Sequence, residues 1–490
     1  MPGRAPVRGL LRYPPVPEIR AFRALRFDPE VVGDLTDVVT PPYDVISPAQ
    51  QQAFARRHPR NVVRLDLPLD EPGDEPDARY RRAARDFVAW RSEGILRKDR
   101  RACVYPYEQT YRVPGTAIER TQRGFFARLR LVPFGSEGGV LPHERTLSAP
   151  KEDRYKLLRA TGANFSPVVV LHRDTPDGIT RRVLRAMAAA PATSEVVDGD
   201  GVRHRMWAVP EEEGLLDVEG AGPQAVQALL QAASAGPLTI ADGHHRYETA
   251  LRYHDERHRD RSLCVEATPF DYILALFLSA DDPLAILPTH RVVRGGPRGE
   301  DLLAAAERLF DVEPVSSPEA LRAAFAAPDA LRDGTLVDAR GGASPGMAPT
   351  DARTTARGQD DAAGPRFGCW TGGRGAILRT RRAALEPLLP ADASETLRWL
   401  DVGVLAVALE QLCGVSPTDT AAGGRLVYTK DAGEAIEFVE RGEGDAAFLL
   451  DPTPVEVVLR VAEAGEFMPQ KSTYFYPKPV TGLLLNPHEW

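Results

Sequence analysis

Long apolar runs are missing from this chain of 490 residues, and no stretch reaches the roughly 18–20 consecutive apolar residues that a bilayer span needs. The first 18 residues, Met1 to Glu18, carry Pro and Arg but lack the apolar stretch of about 7–15 residues found in secretory signals. Both absences point to a soluble, cytoplasmic protein with no membrane partner. Cysteine is equally scarce. Cys103, Cys264, Cys369 and Cys413 stand far apart with no Cys-x-x-Cys, which argues against a disulfide framework or a thiolate zinc site. Positive charge is short as well. A net charge of -8 disfavours the broad counterion release on which nucleic-acid binding depends, so nucleic acid is not expected as a partner. Nothing in the sequence specifies an oligomeric state. Lysine is the rarest of the charged residues: Lys98, Lys151, Lys156, Lys430, Lys471 and Lys478 are all there are, against a background rich in Arg. Lys151, Lys156, Lys471 and Lys478 fall in two segments that look functional on other grounds, and a compact ammonium suits a phosphate or a proton transfer.

What is present reads as alternating helices and strands, an α/β or α+β class with a mixed sheet and an additional α/β C-terminal region. The length predicts several units. They are an N-terminal lead-in over 1–100, a motif-bearing core over 101–298, a second α/β region over 299–466, and a segment over 467–490 that packs back on the core. Helices are expected at Tyr80 to Glu93, with Ala83, Phe87 and Trp90 on one face, and from about His244 to Arg257. Strands are expected at Ala102 to Tyr105, Gly124 to Leu129, Pro167 to Leu171, Leu238 to Ala241 and Tyr272 to Leu278. Asn61 and Arg64 lie in a strand-like run and are read as supporting groups of a site. Gly341 to Pro365 has almost no large apolar residue and reads as a disordered insertion. Gly372-Gly373-Arg374-Gly375 lacks the Lys-Ser/Thr of a P-loop and reads as a hairpin turn.

Four segments carry candidate chemistry. The strongest is Asp242-Gly243-His244-His245-Arg246, where a short strand runs into a helix. Gly243 permits the turn, Asp242 is placed to cap the helix, and bare amides, two imidazoles and a guanidinium are expected to converge on an anion. The second, Leu141 to Lys156, supplies Glu144 as candidate general base, His143 to orient it, Arg145 as a substrate contact, and Lys151 and Arg154 for phosphate oxygens; a solvated, charged helix start is the alternative. The third, Thr40 to Ser47, offers Tyr43 and Asp44 on a Pro-Pro turn, for substrate or Mg²⁺, or simply a structural turn. The fourth, Pro469 to Pro477, sets Gln470, Lys471, Ser472 and Thr473 among aromatic residues, with Lys471, Ser472 and Thr473 as candidate substrate contacts, or simply core packing of the aromatic residues. Asp44 and Asp242 are the candidate Mg²⁺ ligands. His254-Asp255-Glu256-Arg257-His258 has Asp where a zincin has Glu and reads as a solvent face.

The Asp-Gly-His-His-Arg string resembles the phosphate-binding motif of the ParB/sulfiredoxin superfamily, which includes nucleotide-dependent partition proteins, sulfiredoxin and an archaeal free-serine kinase. Taken with Thr40-Pro41-Pro42-Tyr43-Asp44-Val45-Ile46, Leu141-Pro142-His143-Glu144-Arg145-Thr146 and Met468 to Phe475, the pattern resembles a bacterial and archaeal family of unknown function, number 1015, over nearly the whole chain. The resemblance implies phosphate contacts at Gly243, His244, His245 and Arg246 and a cap or metal role at Asp242. No Cys stands where sulfiredoxin has its reactive one, and no DNA-reading helix-turn-helix is visible, so neither of those activities is carried over. The expectation is a phosphotransferase that uses ATP, ADP or CTP with Mg²⁺ to phosphorylate a small hydroxyl compound such as a free amino acid, with His143, Glu144 and His244 as its catalytic groups. No zinc, haem or flavin is expected. A nucleotide-binding regulatory module and a phosphohydrolase are the alternatives.

Overall fold

The computed structural model describes residues 16–135, 139–146, 148–213, 224–259, 267–325, 364–416 and 424–490. The first half builds a ten-stranded mixed sheet from β1 (Ile19–Arg20), β2 (Cys103–Arg112), β3 (Glu119–Arg130), β4 (Val140–Leu141), β5 (Val168–His172), β6 (Ser194–Val197), β7 (Arg203–Met206), β8 (Val209–Pro210), β9 (Leu238–Asp242) and β10 (Tyr272–Ser279). The main path runs β4-β9-β5-β10-β3-β2-β7-β6, with β1 on β3 and β8 on β2. β10 is parallel to β5 and antiparallel to β3, while β9 is parallel to β4 and antiparallel to β5.

Alternation along β10 explains why it sits at the centre. Ile273, Ala275 and Phe277 enter one core, and Leu274, Leu276 and Leu278 enter another on the opposite face. β5 does the same with Val168 and Val170 on one side and Val169 and Leu171 on the other. A strand buried on both faces reads as a continuous apolar run, as these two do.

The second half forms a six-stranded, fully antiparallel sheet from β11 (His290–Val293), β12 (Phe310–Val315), β13 (Arg366–Thr371), β14 (Arg374–Thr380), β15 (Leu426–Thr429) and β16 (Ala446–Leu449), in the order β12-β14-β13-β16-β11-β15. One apolar cluster runs from Leu276 and Leu278 of the first sheet to Phe310, Phe367 and Phe448 of the second. The two sheets therefore share a core, and side chains from both can reach one site.

The helices that matter most are α1 (Ala78–Ser92), α2 (Ser148–Thr161), α3 (His244–Arg259) and α4 (Ala432–Glu440). α1 buries Tyr80, Ala83, Phe87 and Trp90, the face expected from the spacing. Gly372 and Gly373 make the β13–β14 hairpin at positive φ. Cys103, Cys369 and Cys413 are buried free thiols. Among the described residues no helix is long and apolar enough to cross a membrane. The run holding Asn61 and Arg64 is helical over Val63–Asp66, not extended, because Asn61 Oδ1 accepts from Val63 N at 2.9 Å and sets the turn. The insertion expected over 341–365 lies, but for its last two residues, outside the described residues.

The last segment runs back across the first sheet. Met468 N donates to His143 O at 2.8 Å, Phe475–Tyr476 pairs with Ala285–Ile286, Thr481 bonds Thr40, and Asn486–Pro487 pairs with Ala163–Asn164.

Candidate functional site

The site is built where β9 turns into α3. Gly243 has φ +89, and a Cβ there would lie 3.0 Å from Arg246 Nε and 3.1 Å from Val168 Cγ1, so only glycine fits both the conformation and the space. Asp242 does not spend its carboxylate on capping. It pairs with Arg246 Nη2 at 3.2 Å and with Lys478 Nζ at 3.4 Å. Burial pushes this carboxyl up, but Lys478 and Arg246 outweigh it and hold the pKa at about 2.

The histidines behave differently from one another. His143 is buried by β4; its Nδ1–H donates to Ile240 O at 2.6 Å, so its Nε2 is left to accept from Thr473 Oγ1 at 3.1 Å. Burial lowers its pKa to about 4, which keeps it neutral. Its backbone N–H in turn donates to His244 Nε2 at 3.3 Å, and the two rings meet edge to face at 4.7 Å. His244 is thus turned inward, and burial followed by His143 holds its pKa well below the ordinary value. It is a neutral dipole and not a phosphate-gripping cation. His143 braces this inner wall instead of orienting Glu144. His245 is half-exposed and lies in the field of Glu248, Asp44 and Lys151, whereas His244 is buried.

Arg246 is also committed. It is buried, donates to Pro167 O, and holds Asp242 with Asp44 3.7 Å away. Tyr43 forms a wedge beneath it, with Arg154 Cζ 4.0 Å and Arg246 Cζ 5.8 Å from the ring centroid. Arg154 departs from its expected role: it is buried and bound to Asp66 O at 2.5 Å and Asp153 Oδ2 at 2.6 Å, which makes it a structural strut. Lys151 Nζ is held by Glu248 Oε2 at 2.7 Å on the outer flank, and Lys156 pairs with exposed Asp77 away from the site. Arg145 is exposed and stacks over Phe467 at 5.2 Å.

The cations that do gather come from the chain's far end. Glu144 bridges to Met468, and the Lys471 backbone N–H reaches its carboxylate. Burial pushes the Glu144 pKa up to about 7; Asp242 adds to the rise while Lys471 and Lys478 oppose it. Lys471 is exposed and adopts φ +62, a left-handed conformation that a non-glycine residue takes only when its surroundings enforce it. Ser472 is buried and closes the loop through Pro469 O, and Thr473 supports His143.

Lys430, which the sequence reading passed over, enters from the loop after β15 in the second sheet. Its Nζ lies 3.4 Å from the Tyr474 ring centroid, and Lys478 Nζ lies 4.4 Å from the same ring. Burial, then Lys478 and Lys471, lower the Lys430 pKa to about 8. Two of the six lysines therefore face one tyrosine, and Lys471 lies within their electrostatic reach. The rarity of lysine in the sequence was a signal that could have found Lys430, and its position in the second sheet, far along the chain from the motif, is what hid it. Beside Lys430 opens a cavity of about 420 Å³ lined by Ile286, His290, Arg322, Phe325 and Asp431, which meets the cluster only at that lysine.

Among solved structures the chain resembles a free serine kinase in complex with AMP at 13% identity and TM-score 0.31, covering 76% of this chain and 98% of that one. It resembles a conserved hypothetical protein from Pyrococcus furiosus at 12% identity and TM-score 0.29, covering 70% and 88%. A C-terminally truncated SbnI from Staphylococcus aureus matches at 9% identity and TM-score 0.28, covering 71% and 84%. No curated protein matches the chain. Residues 19–402 match the model of a protein family of unknown function, DUF1015, and the chain belongs to that family.

Proposed function

We propose that this protein is a nucleotide-dependent phosphotransferase acting on a small hydroxyl compound, such as a free hydroxy amino acid. The observation that carries the proposal is Glu144, a half-buried carboxyl with pKa about 7 set among Lys471, Lys478 and Asp242. A base that removes a hydroxyl proton near neutral pH works best with such a pKa, and the ammonium groups beside it suit phosphate oxygens.

In this reading Glu144 accepts the hydroxyl proton as the substrate oxygen bonds to the terminal phosphorus. The bond from that phosphorus to its bridging oxygen breaks, and the nucleotide leaves one phosphate shorter. Lys430, Lys471 and Lys478 balance the charge that spreads over the phosphate oxygens and the leaving group. These lysines take the part that the sequence reading gave to His244, Arg246 and Lys151: His244 Nε2 accepts from His143 N, Arg246 Nη1 donates to Pro167 O, and Lys151 Nζ is held by Glu248. The α3 N-terminus adds its partial positive charge, and His245 flanks it from outside.

Asp44 would hold Mg²⁺ better than Asp242, and the ion would supply positive charge to offset that of the phosphate. Asp44 is 37% exposed with its ion pair to Arg246 at 3.7 Å, whereas Asp242 already holds two cations.

The test is to mix the purified chain with ATP, ADP or CTP and a panel of hydroxylated metabolites, and to follow phosphate transfer in the wild type and in Glu144→Gln. Transfer is expected to fall by about 10²–10⁴-fold in the variant while nucleotide affinity stays. Nucleotide binding without transfer in the wild type would mark a regulatory module, and phosphate release with no acceptor would mark a hydrolase. Either result, or an unchanged rate in the variant, overturns the proposal.

A further inference from the structure

At the far end of α3 lies a second constellation that the proposed reaction does not use. His254 and His258 stand one turn apart on the helix, and Asp271 comes from the Thr268–Asp271 turn that leads into β10. The run was expected to face solvent. Instead His254 is 3% exposed, and Asp271 is also 3% exposed. His258 Nε2 lies 2.6 Å and His254 Nε2 3.5 Å from the same oxygen, Asp271 Oδ1, and the two imidazole rings are 4.5 Å apart.

We propose that His254, His258 and Asp271 bind a divalent transition-metal ion of the Zn²⁺, Co²⁺ or Ni²⁺ class, which ties the end of α3 to the turn before β10. One ligand atom from each residue lies within 4.8 Å of the other two. A tetrahedral ion with bonds of about 2.0–2.1 Å needs its ligand atoms roughly 3.3 Å apart. The His254–Asp271 separation of 3.5 Å already meets this, and the His258–Asp271 contact of 2.6 Å opens by less than about 1 Å to admit the ion.

The surroundings are those of a metal site. His254 directs its other nitrogen, Nδ1, to Asp255 Oδ1 at 3.0 Å, the carboxylate–imidazole pairing that orients a metal-bound histidine. Asp271 is itself fixed, with Thr268 N donating to Oδ2 at 2.7 Å and Thr268 Oγ1 to Oδ1 at 2.9 Å. A plain ion pair would need one histidine against Asp271; a second buried imidazole aimed at the same oxygen is accounted for by a shared ion. Two nitrogens and one oxygen select a borderline metal over Mg²⁺ or Ca²⁺, which favour oxygen alone. Ten residues of helix, about 15 Å, separate His254 from His244, so the two sites can be tested independently.

The experiment strips the purified full chain with a chelator, desalts it, and titrates it with Co²⁺ while visible d–d absorption is read, followed by displacement with Zn²⁺. One equivalent of Co²⁺ with tetrahedral absorption is expected, together with a Zn²⁺-dependent rise in melting temperature. His258→Ala should abolish both signals. Asp255→Asn, which keeps all three ligands, should weaken binding by about 10–100-fold. Absence of the absorption band in the wild type, or affinity unchanged in both variants, overturns the assignment.

Discussion

Replacing Glu144 by Gln should stabilise the protein at alkaline pH and do almost nothing at acid pH. The folded protein raises the Glu144 pKa from 4.5 to about 7, with burial as the main cause. At about 1.4 kcal/mol per pH unit that rise is worth about 3 kcal/mol, and solvent screening of a half-buried group trims the expected value to roughly 2–3 kcal/mol. The sign follows from which state holds the proton. Below pH 4.5 the carboxyl is protonated in both states, its stabilising share is complete, and Gln is an equal substitute. As pH rises from 4.5 through about 7 the unfolded chain gives up a proton that the native state keeps, so that share drains away. Gln cannot ionise and escapes the loss. Urea unfolding of wild type and Glu144→Gln at pH 4.5, 6 and 8 should therefore give curves that coincide at the lowest pH and diverge in favour of Gln above it. A variant less stable than wild type at pH 8, or a difference that does not change with pH, would refute the reasoning that burial outweighs the lysines around this carboxylate.

Asp242→Asn should act in the opposite direction. It removes the counter-ion that buried Arg246 shares with half-buried Lys478 and leaves Arg246 only Asp44, 3.7 Å away, so the expected cost is about 1–3 kcal/mol at pH 7. Because the Asp242 pKa is held at about 2, its contribution is whole above pH 3.8 and fades only as pH falls through about 2; a loss below 1 kcal/mol in urea unfolding at pH 7 would contradict the ion triad. Lys430, with pKa about 8, should make inorganic phosphate or nucleotide affinity decline as pH climbs past that value, and Lys430→Ala should flatten this pH dependence in calorimetric titrations. A wild-type affinity that is level from pH 7 to 9 would remove Lys430 from the anion site.

Local patterning made much of this protein legible in its sequence. The apolar runs of β5 and β10, the amphipathic face of α1 and the strand-glycine-helix turn at Gly243 depend on neighbours within a few residues, and each was found where the residues placed it. Glu144 stood out as a carboxylate in a charged loop beside buried strands, where a phosphoryl transfer to an alcohol would need one. The partners of these groups could not be read the same way. Whether His244 is a cation or a buried neutral ring depends on His143, 101 residues away, and whether Arg154 is free depends on Asp66, 88 residues away. Lys430 and Lys478 reach the site from the second sheet and from the returning C-terminal segment, separations across which a linear sequence carries no distance. The same holds for His254 and His258, whose spacing was plain but whose pairing with Asp271 depended on the turn before β10 packing against them. Sequence determines which chemistry is available and which way the local chain turns; desolvation and the pairing of charges, which set what each group does, exist only once distant segments have packed together.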